Sequence, residues 1–132
     1  MNGTDMDELS RAANSAIGQL ELELIVRDFI TVLNEGSPRE LHAFLAEDVH
    51  YRPSAARTIY GRAAVVAMIE DIRCAFEEWR TFMVDVAVTG DVVLAEQSMS
   101  LRLPGGEPHL VMGFASFRLE NFRIAAWHQL HA

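Results

Sequence analysis

Proton-transfer chemistry in this chain would have to come from few side chains: five histidines, two tyrosines, one cysteine and the carboxylates. His109 and His131 are the first candidates, because they could approach each other across neighbouring strands near the open end of a sheet and act as general acid and base near neutral pH. The plainer reading is two half-exposed histidines, one beside a loop and one beside the last residue. No third ligand at suitable spacing accompanies them, so no metal is expected, and no cofactor is expected either. Tyr51 could donate from its phenol, or simply pack its ring and bond its hydroxyl to a nearby acceptor. Cys74 reads as a buried or half-buried helical thiol before it reads as a nucleophile. His42, His50 and His128 read as solvent- or interface-facing. Glu70-Asp71 and Glu77-Glu78 read as the solvated side of a helix. Glu96 lies mid-strand on the outer face, where an interface or a pairing with Arg102 or Arg118 is expected.

The elements that must position these groups follow from periodicity. From about Ala16 to Glu35, Leu22, Ile25, Val26, Phe29, Ile30 and Leu33 recur at three- and four-residue steps, as on an amphipathic helix. Gly36 is a natural stop. Ser37-Pro38-Arg39-Glu40 opens a second helix, with serine as cap, proline at the first helical position and Glu40 completing a capping box. Val49–Pro53 reads as a short strand, followed by a loop through Ser54-Ala55-Ala56. A third helix after Gly61 carries Val65, Met68, Ile69, Ile72 and Phe76 on one face and is spent by about Trp79. The period then changes to two, with strands at about 81–89, 91–103, 108–119 and 122–131. Residues 1–14 read as a flexible leader or the frayed start of a helix, and 15–132 as a single α+β domain.

Composition sets the bounds. At 132 residues and 50% hydrophobic, the chain can bury one real core without disulfides. One cysteine cannot pair within the chain, which suits a reducing cytoplasm. The polar, acidic start lacks the form of a signal peptide, and no apolar run is long enough to span a membrane. A formal charge of −8 argues against nucleic acid as partner.

Four local strings, in order, sharpen this outline. They are Phe44-Leu45-Ala46-Glu47-Asp48-Val49-His50-Tyr51, Tyr60-Gly61-Arg62-Ala63-Ala64-Val65, Gly90-Asp91-Val92-Val93-Leu94-Ala95-Glu96 and Arg123-Ile124-Ala125-Ala126-Trp127. Together they resemble the SnoaL-like and limonene-1,2-epoxide-hydrolase branch of the NTF2-like superfamily, from about Leu24 to Leu130. The resemblance implies a cone, with three N-terminal helices packed on a curved antiparallel sheet. It also implies a mechanism, in which an Asp–Arg–Asp set activates water and protonates an epoxide while a Tyr and an Asn hold the water. Tyr51 keeps the tyrosine. The asparagine position is Pro53, the arginine Gln97, and the two aspartates Met99 and Gln129. Neither glutamine nor methionine can take or give the proton that epoxide opening requires, so the inherited mechanism is expected to be absent.

If Gln97 and Met99 face into the cone, so do Leu101 and Leu103; if Gln129 does, so do Trp127 and His131. On the strand between them the resemblance favours His109, Val111 and Gly113 as inward residues, whereas a tight turn at Glu120-Asn121 would favour Leu110, Met112 and Phe114. Ile30, Leu33, Ile72 and Phe76 should close the wall. An apolar cavity with a few polar groups suits a small hydrophobic metabolite. The alternatives are an active epoxide hydrolase, isomerase or cyclase using Tyr51 with a histidine or a glutamine-held water, and a non-catalytic interaction module whose core fills the cavity. Ile124, Ala126 and Leu130 on the outer face predict a homodimer. Epoxide hydrolases of this type continue with a further covering segment, so a chain ending at Ala132 predicts a more open mouth.

Overall fold

The computed structural model of the chain describes residues 3–131, with side chains from residue 5 onward. The elements run α1 (Gly3–Glu35), α2 (Pro38–Phe44), β1 (Leu45–Ser54), β2 (Arg57–Tyr60), α3 (Arg62–Ala75), β3 (Glu78–Thr89), β4 (Val92–Arg102), β5 (His109–Glu120) and β6 (Arg123–His131). One curved sheet takes all the strands in the order β2-β1-β6-β5-β4-β3. Only α1 and α2 precede it, since α3 follows the β1–β2 hairpin. The sheet is also mixed: β6 returns alongside β1 in parallel, with Tyr51 opposite Trp127, while the other pairs are antiparallel.

Helix α1 starts well before Ala16, although residues 5–17 are exposed and its first buried contacts come at Leu22 and beyond. The part of the expected leader at residues 1–2 lies outside the described residues. The capping box of α2 forms as its sequence requires, with Ser37 Oγ accepting from the Glu40 amide and the Glu40 carboxylate accepting from the Ser37 amide. Helix α3 ends at Ala75, earlier than its periodicity indicates. The Glu77 amide donates to the Arg102 carbonyl at 2.7 Å and draws the chain into the sheet. Trp79 therefore lies on β3 opposite Leu101, Glu77 forms an ion pair with Arg102 at 3.2 Å, and Glu78 accepts from Ser100 rather than facing water on a helix.

Between helices and sheet, Val26, Phe29, Ile30 and Leu33 of α1 meet Val65, Val66 and Ile69 of α3 over Val93, Phe117, Leu119, Ile124 and Trp127. The Phe29 ring meets Trp127 edge-on at 5.2 Å and lies edge-to-face on Phe117 at 6.2 Å. Asn34 of α1 ties the helices to the sheet, donating to the Thr81 carbonyl and accepting from the Thr81 amide of β3, both at 2.8 Å, and Arg73 ties the helices to each other. Arg73 of α3 donates to the carbonyls of Val32 (2.7 Å), Leu33 (3.1 Å) and Gly36 (2.6 Å) at the end of α1, the first of which also accepts from the Gly36 amide. Partial burial, partly opposed by Glu70, lowers the pKa of its guanidinium from the ordinary value.

Candidate functional site

Strand register decides which side chains enter the cone. On β4, Val93, Ala95, Gln97 and Met99 are buried while the residues between them are more open. Their partners on β5 are Phe117, Ala115, Gly113 and Val111. The turn from β5 to β6 is tight: Glu120 pairs with Arg123 across Asn121 and Phe122, both with positive φ. Uninterrupted pairing from that turn would set Gln129 opposite Phe114. A register shift after the first two pairs, with Leu119 opposite Ile124 but Arg118 opposite Ala126, leaves Ala125 as an extra residue and sets Gln129 opposite Ala115 instead. The bulge therefore selects Val111 and Gly113 as inward residues and turns Leu110, Met112 and Phe114 outward. The same bulge brings Ile124 into the core, so it is not part of the outer face, and Ala126 is buried as well.

The deepest part of the cone holds an aromatic and amide cluster. Tyr51 stacks on Trp127 with ring centroids 3.9 Å apart, and its hydroxyl donates to Gln129 Oε1 at 2.5 Å. Burial raises the phenol pKa far above the tyrosine range, so Tyr51 stays protonated and acts as a donor. Gln97, two positions along the sheet from the row of Gln129, is fully buried. Neither its amide nitrogen nor its oxygen has a hydrogen-bond partner, and the same holds for Trp127 Nε1. Buried amides are almost always bonded, so Gln97 is an exception that calls for a reason.

Around this cluster Met99, Ile30 and Leu33 are buried, while Ile72, Phe76, Leu101 and Val111 are half-buried towards the end of the cone where α3 gives way to β3. Phe76 enters as the residue after α3, not from the helix face. The two histidines do not meet. His131 lies opposite Gly113, and His109 stands four positions further along β5, about 13 Å away at strand spacing. Both are exposed. His131 does lean over Gly113, where a methyl group would fall 2.8 Å from its imidazole Cδ2 and 2.4 Å from the Leu130 carbonyl oxygen.

Other chemistry-bearing residues lie elsewhere. Cys74 is exposed, because it falls on the outer side of α3 rather than in its buried stripe. Glu96 pairs with neither Arg102, which Glu77 holds, nor Arg118, which Glu120 holds. His50 and His128 face one another at 5.3 Å on β1 and β6. Desolvation first, then His50, Arg52 and Arg118, lower the His128 pKa. Among the described residues, no three His, Cys, Asp or Glu side chains converge as metal ligands. Sequence reasoning did not foresee the lone amide of Gln97 or the Tyr51–Gln129 bond, since both depend on which strands become neighbours.

A curved sheet with its helices and this register define an α+β NTF2-like fold. The SnoaL-like domain family matches residues 26–127, and the chain belongs to that family. Solved structures agree on the fold. An LEH-like epoxide hydrolase of M. tuberculosis superposes with a TM-score of 0.78 at 17% identity, covering 87% of this chain and 85% of that one. A protein from Shewanella putrefaciens CN-32 assigned as a SnoaL-like polyketide cyclase gives 0.75 at 16%, covering 83% and 88%. A Catenulispora acidiphila DSM 44928 protein with a ketosteroid isomerase-like fold, in complex with trimethylamine, gives 0.74 at 19%, covering 80% and 83%. No curated protein matches the chain.

Proposed function

We propose that this SnoaL-like domain binds a small, predominantly apolar metabolite inside its cone, and that the binding does not lead to epoxide hydrolysis. The observation that carries this reading is Gln97, whose amide nitrogen and oxygen are both buried and unpartnered on a largely apolar inner face. A ligand with a carbonyl or hydroxyl on a terpenoid-, polyketide- or steroid-like body would satisfy both. Tyr51 and Gln129 supply a second polar point, and Ile72, Phe76, Leu101 and Val111 supply half-buried apolar surface at the mouth.

Hydrolytic chemistry lacks its groups. The positions that resemble the acid, base and arginine of the epoxide hydrolases hold Met99, Gln129 and Gln97, and Tyr51 is held protonated and bonded to Gln129. The test is a titration of the purified protein with terpene, polyketide-like and steroid probes, read by tryptophan fluorescence in a Trp79→Phe background so that Trp127 reports. Hydrolysis of terpene and aryl epoxides is then assayed for wild type and for the variant Gln97→Arg, Met99→Asp, Gln129→Asp. Saturable binding by wild type, with turnover only in the variant, is expected. Turnover by wild type overturns the reading, and absence of any saturable binding favours a filled, non-catalytic module.

We also propose a homodimer formed through the outer sheet face. Phe82, Leu94, Leu110, Met112, Phe114 and Leu130 expose 45–73% of their surface there, and large apolar side chains gathered on one face favour a partner over water. The unpaired Glu96 lies among them. Sedimentation should show a dimer that Phe114→Glu converts to monomer; a monomer at all concentrations overturns this. One free, exposed cysteine fits a reducing compartment, and the cytoplasm is the proposed location.

A further inference from the structure

All eleven basic residues of this acidic chain are arginines, and most of those with an assigned partner are neutralised locally. Arg27, Arg80, Arg102 and Arg118 pair with glutamates, and Arg73 spends its donors on carbonyls. None of the remaining six forms an ion pair among the described residues, and three of them gather in one place. Arg39 on α2, Arg62 at the first position of α3 and Arg123 at the start of β6 line a single cavity of about 490 Å³ outside the cone, together with His42. No acidic residue lines it, and none of the three arginines forms an ion pair among the described residues. Arg62 reaches only the Leu45 carbonyl, at 3.4 Å, and its Nε is buried without a partner. Pro38, Ala43 and Val66 supply the apolar part of its lining.

Three guanidinium groups gathered without a counter-charge repel one another, and a buried guanidinium nitrogen left unbonded costs further free energy. Both penalties vanish when an anion sits between them. We propose that this cavity binds a small organic anion, whose carboxylate or phosphate is held by Arg62 and Arg123 with Arg39 at the rim. Its short apolar body lies on Val66 and Ala43. Arginine forks suit the paired oxygens of either group. A nucleic acid is a poor occupant, because a net charge of −8 surrounds only three cations. The site is separate from the interior of the cone, and it stands or falls independently of the apolar pocket.

The test is a ¹H–¹⁵N NMR titration of the whole chain, observing backbone amides and arginine Nε–H groups. Phenyl phosphate and benzoate are the probes, inorganic phosphate isolates the anionic group from its apolar body, and benzyl alcohol is the neutral control. Saturable shifts at Arg62, Val66 and Arg123 are expected with both aryl anions. Inorganic phosphate should bind more weakly, benzyl alcohol should not bind, and added salt should weaken the response. Arg123→Gln and Arg39→Gln involve side chains with no bond to the fold, so each should leave the melting temperature unchanged. Each should weaken phenyl phosphate about tenfold, the effect of one charge-assisted contact. Arg62→Gln should weaken it further, and its bond to Leu45 is checked by the same melt. Shifts spread evenly over all the arginines, unchanged affinity in Arg123→Gln, or equal binding of benzyl alcohol would overturn the proposal.

Discussion

Replacing Gln97 with leucine should raise the stability of the protein while weakening the binding proposed for the interior of the cone. The side chain is fully buried, with both amide atoms unbonded. Burying an unpaired amide costs about 1–3 kcal/mol on mutational scales, and leucine removes that cost at nearly the same volume. Taking about 2 kcal/mol, and about 3–5 °C per kcal/mol for a domain of this size, the melting temperature should rise by about 6–10 °C. The comparison variant is Gln129→Leu, the same change on the same inner face. Its oxygen accepts from Tyr51 at 2.5 Å, so removal strands a buried hydroxyl and should lower stability by about 1–2 kcal/mol. The assay is thermal unfolding by circular dichroism, paired with the fluorescence titration described above. Opposite signs for the two variants, with about tenfold weaker ligand binding in Gln97→Leu, are expected. A lower or unchanged melting temperature in Gln97→Leu would show that the amide already has partners in solution, and the argument from its unmet bonds would fail.

Three further outcomes follow from the same geometry. Because burial raises the Tyr51 pKa, the folded protein keeps a proton that the unfolded chain releases above about pH 10; stability should fall steeply above that pH, and less steeply in Tyr51→Phe, in melts taken between pH 8 and 11. The pKa of His128 is lowered, so the unfolded chain protonates first as pH drops below about 6.5; melts between pH 7.5 and 5 should show stability lost on acidification, with a shallower slope in His128→Asn. Arg73→Ala removes the side-chain donor from the Leu33 and Gly36 carbonyls at the end of α1, while Val32 keeps the Gly36 amide, and should cost on the order of 2 kcal/mol in urea unfolding, whereas an effect within about 0.5 kcal/mol, the usual size for an uninvolved surface site, would mean that water replaces it.

Much of this protein was legible from local physics. The three- and four-residue spacing of Leu22 to Leu33 marks the buried stripe of α1, the Ser-Pro-Arg-Glu string writes the cap of α2 on its face, and alternation marks β3 to β6, because burying one side of a helix or strand constrains neighbouring residues directly. The substitutions at Gln97, Met99 and Gln129 were likewise readable as lost acid–base chemistry, since a side chain's capacity to titrate is intrinsic to it. What the sequence left open were properties of pairs of strands. The short strand β2 carries no pattern of its own and exists because β1 offers it an edge. The extra residue at Ala125 decides whether Val111 or Met112 faces the cone, draws Ile124 into the core and leaves Phe114 outside. Four positions of β5 separate His109 from His131. The Tyr51–Gln129 bond, the unpaired amide of Gln97 and the gathering of Arg39, Arg62 and Arg123 join residues far apart in the chain. Local periodicity can state which face a residue prefers, but hydrogen-bond satisfaction and charge balance depend on distances between segments, and only the packed sheet and helices set those distances.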